Sequence, residues 1–299
     1  MISLLIPVRG NAPFLFQALK SLCESSLIPS EVLIIDDRIS ENTIDELNNS
    51  KFDFDLKLVK NKGKGLVDAL NTGLNFASYE LIARLDSDDM VYRSRFEQQS
   101  NLLNSSPEVV VVGSQVTYID SCNKILGTSS YPLGNIVNSE RFNRACLMAH
   151  PSVMYRKSSL QAVGGYREVA RIGSTSLCED FDLWKRVAKV GELINLEQQL
   201  TFYRQHPGQL SNQFRYAQEL ATIYVEAESF DRTKIKFEIV RPGHISSHNQ
   251  IRKSINNLSV KQKMRFHIYS RLIRNDLKFK KLQICLLVII AKLLNSIHK

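Results

Sequence analysis

Leu81-Ile82-Ala83-Arg84-Leu85-Asp86-Ser87-Asp88-Asp89 decides how this chain is read. A short apolar run stops abruptly at three carboxylates within four residues. Such a run is a buried strand, and its end presents the acids. In an open α/β sheet, ligands bind in the crevice outside the carboxyl ends of the strands. Mg²⁺ and Mn²⁺ take oxygen ligands, typically one or two carboxylates completed by substrate phosphates. The cluster therefore points to a metal-held phosphorylated substrate. The competing reading is an acidic turn that caps a helix predicted over Tyr92–Leu103.

Working outward, the same alternation continues on both sides. Ile2–Val8, Glu31–Asp37, Leu56–Lys60 and Leu81–Leu85 read as strands, and Phe14–Ser25, Thr43–Asn48 and Gly65–Ala77 as the helices between them. Strand and helix in strict turn imply a mostly parallel α/β sheet covered by helices. Right-handed crossovers then bring the strand ends to one edge. Past Val109–Gly113 the alternation weakens. Val116–Ile119 and Lys124–Gly127 read as a hairpin, Ser152–Tyr155 as a strand, and Phe181–Val190 as a helix with Glu179 and Asp180 at its start, where the helix dipole favours carboxylates. The start of the chain, with Pro7 interrupting its apolar run, reads as a first strand and not as a signal peptide.

The net charge of +9 is uneven. Residues 215–299 hold 17 Lys+Arg and 6 Asp+Glu, whereas residues 1–214 carry a net −2. The final segment, from Lys280, has an apolar run too short to span a bilayer and lysines along one side, the pattern of an interfacial helix; a helix docked on protein is the alternative. A basic region of this kind suits an anionic membrane surface. No nucleic-acid reader motif accompanies it. The five cysteines are widely spaced, with no CxxC pair, which argues against a zinc site or a disulfide framework and for a reducing compartment.

Several pieces stand in one order: Pro7-Val8-Arg9; Asp36-Asp37; Asn61-Lys62-Gly63 and Gly65-Leu66-Val67-Asp68-Ala69-Leu70-Asn71; Arg84-Leu85-Asp86-Ser87-Asp88-Asp89; His150-Pro151-Ser152; Glu179-Asp180-Phe181-Asp182-Leu183-Trp184; and Tyr203-Arg204-Gln205-His206. This series resembles the family 2 glycosyltransferases of bacterial surface-polysaccharide assembly, of O-antigen or capsule type. The resemblance covers residues 1–214. It implies a GT-A fold, a Rossmann-like mixed sheet that is mostly parallel with helices on both faces. The expected organisation is a nucleotide-sugar half over residues 1–105, an acceptor half over 106–214, and a helical basic extension over 215–299.

The resemblance also implies an inverting transfer from a UDP-sugar, assisted by Mn²⁺ or Mg²⁺, to a lipid-diphosphate-linked saccharide at the cytoplasmic face of a bacterial membrane. Pro7, Val8, Arg9, Asn61, Gly65 and Asp68 fall in the donor-binding motifs. Asp36 and Asp37 match the acids that meet uracil and ribose, against a simple turn role. Asp88 matches a direct metal ligand, and Asp86 the acid that faces the ribose or donor sugar and shares the metal site. Asp89 either coordinates or caps a helix. Arg84 and Arg204 are candidates for the diphosphate or for ion pairs, and His206 for metal or phosphate. Asp180 matches the catalytic base and Glu179 its support or an acceptor contact. Trp184 reads as core and Asp182 as the poorer base. Arg9-Gly10-Asn11 departs from the family's frequent Tyr-Asn after Pro-Val. No Gln-x-x-Arg-Trp motif follows the base, against a processive synthase. Two rivals are a sugar-1-phosphate nucleotidyltransferase, whose N-terminal Gly-rich loop is missing at Pro7–Phe14, and a non-catalytic sugar-nucleotide binder.

Overall fold

The computed structural model describes residues 1–142, 145–172 and 175–206, with residues 218, 222, 225 and 237–238. The chain divides into two compact units, Met1–Val169 with Ser174–Glu226, and Ala170–Gly173 with Ala227–Lys299. In the first unit the elements run β1 (Ile2–Gly10), α1 (Leu15–Cys23), β2 (Glu31–Ile39), α2 (Glu41–Asn49), β3 (Leu56–Lys60), α3 (Leu66–Phe76), β4 (Leu81–Arg84), β5 (Met90–Val91) and α4 (Arg95–Ser105). They continue with β6 (Val109–Ile119), β7 (Ile125–Thr128), β8 (Gly134–Asn135), β9 (Met154–Arg156) and α5 (Lys157–Ala162). In the second unit β10 (Ala170–Ile172) pairs in parallel with Phe237–Glu238. The first unit resumes with β11 (Thr175–Leu177), α6 (Glu179–Val187) and β12 (Glu192–Arg204).

The main sheet has the order β3-β2-β1-β4-β9-β6-β12-β5, with β7 added to β6 and β8 to β12. β3, β2, β1 and β4 are mutually parallel; β9 runs antiparallel between β4 and β6; β12 is parallel to β6. The mostly parallel mixed sheet is the fold class expected. Strands covered on both faces need continuous apolar sequence, and β1 and β2 supply it. Leu4, Ile6, Val32 and Ile34 pack with Leu15, Leu19 and Leu22 of α1 and Phe96 of α4. Leu5, Leu33 and Ile35 pack on the opposite face with Leu70 and Leu74 of α3 and Leu183 and Trp184 of α6. The period of two along each strand thus feeds two cores. Gly73 lets α3 come close: a Cβ there would sit 3.0–3.3 Å from Leu5 and Ile35 side chains.

Three sequence expectations change. The acidic run caps no helix: the chain first forms β5, and α4 begins after Ser94, which itself makes no side-chain cap. Val109–Gly113 and Val116–Ile119 are one strand, β6, whose buried Ser114 and Gln115 concealed its continuity. β12, 13 residues long, was not anticipated, because exposed Glu197-Gln198-Gln199 and the register shifts beside them break its pattern. The expected basic extension and interfacial helix lie outside the described residues. Among the described residues no helix is long and apolar enough to cross a membrane.

At the amino end of the sheet, buried Glu31 ties four segments together. It accepts from Ser3 Oγ (2.6 Å), the Ser78 backbone N–H (2.6 Å), Ser78 Oγ (3.0 Å) and Lys57 Nζ (2.9 Å). Burial raises this carboxyl, but these donors outweigh it and hold it at about 2. A depressed carboxylate stabilises the fold above its unfolded value, and that contribution fades as pH falls toward the folded one. Glu31→Gln should therefore lose about 2 kcal/mol at neutral pH. In chemical denaturation followed from pH 7 downward, the variant and the parent should converge as the pH nears 2.

Candidate active site

Strand order reverses between β1 and β4, the topological switch at which open α/β sheets bind ligands. A cleft of about 980 Å³ opens there. One side is built by Pro7, Val8 and Arg9 at the end of β1, Asp37 of β2, and Arg84, Asp86 and Asp88 at and beyond the end of β4. The other side carries Cys146, His150, Glu179 and Asp180; Tyr118, Tyr131, Tyr203 and His206 complete the wall.

The acidic turn crowds three carboxylates. Ligand oxygens of Asp86, Asp88 and Asp89 can all lie within 4.8 Å of one another. Burial first, then the neighbouring acids, push Asp89 well above the usual carboxylate range. Burial and Asp88 likewise lift Asp86 to about 6 against the pull of Arg84, which donates to it. One oxygen of Asp89 accepts the Arg204 backbone N–H (2.8 Å), while the other is buried without a protein partner. His206 Nε2 lies 3.0 Å from Asp88 Oδ2. Oxygen ligands, surplus negative charge and an orphaned carboxylate oxygen together fit a hard divalent cation.

On the opposite side, Cys178 adopts left-handed backbone (φ 58°) immediately before α6. For a residue with a Cβ this is strained, and such strain gathers at functional sites. It starts the helix at Glu179, so both acids sit at the positive helix end. Asp180 Oδ1 accepts the Phe181 N–H (2.7 Å), and the Cys146 thiol donates to Oδ2 (3.4 Å). Burial raises Asp180. Burial and the Asp180 charge push the neighbouring Glu179 up to about 8. Glu179 Oε1 is 3.8 Å from His150 Nδ1. Burial drives His150 well below its ordinary value, so the ring is neutral, and its Nε2 meets the Tyr166 hydroxyl at 3.0 Å. Asp182 is buried against Arg186 (2.7 Å), and Trp184 is in the core; neither lines the cleft.

The expected donor contacts divide. Pro7, Val8, Arg9, Asp37, Arg84 and Asp86 line the cleft. Asp36 does not: it accepts from the Ile39 N–H and from Lys60 Nζ, because alternation along β2 turns it away from Asp37. Asn61 and Gly65 also stand behind the wall. The Asn61 amide and the Gly65 N–H both donate to Asp37, fixing its carboxylate (3.2 and 3.1 Å). Asp68 accepts the Lys64 N–H and ties the same loop. Arg204, expected at the diphosphate, is wholly buried. Its guanidinium donates to the Asp88 and Asp120 carbonyls, Asn123 Oδ1 and Gln17 Oε1, and its Cζ lies 4.2 Å from the centre of the Phe14 ring. Cys146 and the three tyrosines were not anticipated. They come from β6, β12 and intervening loops, and no sequence spacing links them.

The glycosyl transferase family 2 model matches residues 3–164. The chain belongs to this family. It is a glycosyltransferase. Its relatives include an uncharacterized glycosyltransferase of Haemophilus influenzae (25% identical over 273 residues, 85% of this chain and 84% of the relative). A second is the UDP-Gal:alpha-D-GlcNAc-diphosphoundecaprenol beta-1,3-galactosyltransferase of Escherichia coli (27% over 282 residues, 91% and 95%). A third, shorter match is the Escherichia coli O-antigen biosynthesis glycosyltransferase WbnJ (30% over 165 residues, 54% and 59%). The fold resembles S. aureus TarS 1-349 solved with UDP-GlcNAc, with a TM-score of 0.58 at 16% identity, covering 78% of this chain and 68% of that one. The family 2 match ends before α6, so Glu179 and Asp180 rest on the cleft geometry and on the motif order.

Because Arg204 holds the acidic turn from inside, Arg204→Met should act through folding and cation binding together. Removing one partner of a buried charged network costs about 3–5 kcal/mol. The expected result is a lowered melting temperature and weaker Mn²⁺ binding in calorimetry.

Proposed function

We propose that this enzyme transfers a single sugar, with inversion, from a UDP-sugar to a hydroxyl of a lipid-diphosphate-linked saccharide. The observation that carries this reading is one cleft with two acidic poles, Asp86–Asp88 beyond β4 and Asp180 at the start of α6. The E. coli relative's named reaction and the UDP-GlcNAc of the TarS complex support the donor and acceptor classes.

Asp37, held by Asn61 and Gly65, faces the nucleoside together with Pro7, Val8 and Arg9; its oxygens accept from a base N–H or ribose hydroxyls. Asp88, with Asp86 and His206, would hold Mn²⁺ or Mg²⁺. When bound, the cation supplies Lewis-acid stabilisation of the charge on the departing diphosphate. Arg84, buried beside Asp86 with two guanidinium nitrogens lacking protein partners, adds positive charge to that side. Asp180 takes the proton of the acceptor hydroxyl as that oxygen attacks the anomeric carbon from the face opposite UDP. Its raised pKa improves it as a base. Glu179, up at about 8, is mainly protonated at neutral pH and leaves Asp180 as the charged member of the pair.

The catalytic region is assigned to residues 1–214, in donor and acceptor halves, and residues 215–299 to attachment. Their charge of +11 suits the anionic cytoplasmic face of a bacterial membrane, where O-antigen or capsule precursors are assembled.

Asp180→Asn should bind UDP-sugar with parental affinity and yet show no transfer in a UDP-release assay; parental transfer would sink the base assignment. Asp88→Ala should lose cation-dependent turnover. A screen of UDP-Gal, UDP-Glc, UDP-GlcNAc and UDP-GalNAc with lipid-diphosphate saccharides identifies the donor, and pyrophosphate release in place of UDP would favour the nucleotidyltransferase. Deleting residues 280–299 should reduce co-sedimentation with anionic vesicles; unchanged sedimentation would remove the anchor.

A further inference from the structure

Three tyrosines from three separate segments meet along the cleft, and Tyr131 among them reaches toward the Cys146–Asp180 pair. Tyr118 comes from β6, Tyr203 from β12, and Tyr131 from the loop after β7. All three line the cleft and are half-buried. The rings of Tyr118 and Tyr203 meet edge to face, with centres 5.8 Å apart and planes at 79°. The Tyr131 hydroxyl lies within electrostatic reach of Tyr118, of Tyr203 and of Cys146, the residue that donates to Asp180.

The loop carrying Tyr131 is held by a dedicated device. Buried Gln115 donates to the Tyr131 carbonyl (2.9 Å) and accepts from its backbone N–H (2.8 Å). The same Gln115 oxygen accepts from Ser129 Oγ (2.8 Å). A polar side chain spent inside a sheet to fix one loop residue is a strong positional constraint, since an unpaired buried amide is costly. Burial raises the Tyr131 phenol, so its hydroxyl stays protonated.

We propose that Tyr118, Tyr131 and Tyr203 form the subsite that seats the pyranose ring of the acceptor, beside Asp180. A tyrosine offers an apolar face with a hydroxyl at its rim and loses little entropy when ordered. That matches the C–H face and hydroxyl edge of a sugar. Neutral phenols give no preference for an anionic diphosphate, which leaves that group to the Asp86–Asp88 side. The assignment rests on the transferase reading for its orientation, but it can be tested without turnover.

The test is saturation-transfer NMR on the full chain held with UDP, using the methyl α-glycosides of GlcNAc, GalNAc, Gal and Glc. At least one glycoside should receive saturation, strongest along one ring face. Tyr131→Leu should weaken its binding by about tenfold, leave UDP affinity within about twofold, and Tyr131→Phe should retain most of it. Tyr203→Leu serves as the second variant if Tyr131→Leu does not fold. Saturation transfer to none of the glycosides, or parental glycoside affinity in a folded leucine variant, would overturn the subsite. Asp180→Asn separates the two claims: it should keep glycoside binding whether or not the base assignment survives.

Discussion

The active cleft depends on Arg204 holding an acidic turn that would otherwise repel itself apart. Three carboxylates cannot share a turn at low dielectric unless something fixes the backbone that carries them. At the end of β12 the Arg204 backbone N–H binds Asp89, and its guanidinium binds the Asp88 carbonyl. The same group reaches Asp120, Asn123, Gln17 and the Phe14 ring, so segments far apart in sequence converge on one cation. β5, immediately after the acids, pairs with β12 and secures the turn from its other end. The sequence motif Tyr203-Arg204-Gln205-His206 thus has two jobs: Arg204 builds the turn from behind, and His206 meets Asp88 from the cleft.

The acids around the cleft differ by their partners, and that difference orders their chemistry. Asp36 and Asp182 have cationic partners, Lys60 and Arg186, and lie off the cleft. Asp37 is fixed by neutral donors, has Arg9 and Arg38 each at 3.9 Å, and lines the cleft. Asp86 and Asp89 are lifted by burial and by neighbouring acids, Asp88 among them, the condition a divalent cation relieves. Glu179 and Asp180 are lifted by burial at a helix start, the condition a proton relieves. One pole suits a metal and the other a proton acceptor, the two roles that the proposed direct displacement uses.

Much of this was legible from local chemistry. Continuous apolar runs in β1, β2 and β4 declared a buried parallel sheet, and the alternation with helices declared the α/β class. Asp182 read as the poorer base, and it lies off the cleft against Arg186. Other features resisted reading for physical reasons. Asp36 and Asp37 are adjacent, and only the pleat decides which one faces the cleft. Arg204 and Arg84 both read as phosphate binders, with Arg204 favoured by its motif; both are buried, and their existing partners and their place relative to the cleft separate them. β12 escaped notice because its polar bulge interrupts the apolar period.

The sequence by itself determined the strand and helix order from β1 to β4, the positions of the acids at element ends, and the family resemblance, because these follow from local periodicity and motif order. Tertiary structure alone decided which acids share a cleft, which arginine is structural, and that Gln115 orders Tyr131 beside Tyr118 and Tyr203. Those outcomes depend on contacts between residues up to 187 positions apart, as between Arg204 and Gln17. Local propensity carries no information about such contacts until the sheet has brought the strands together.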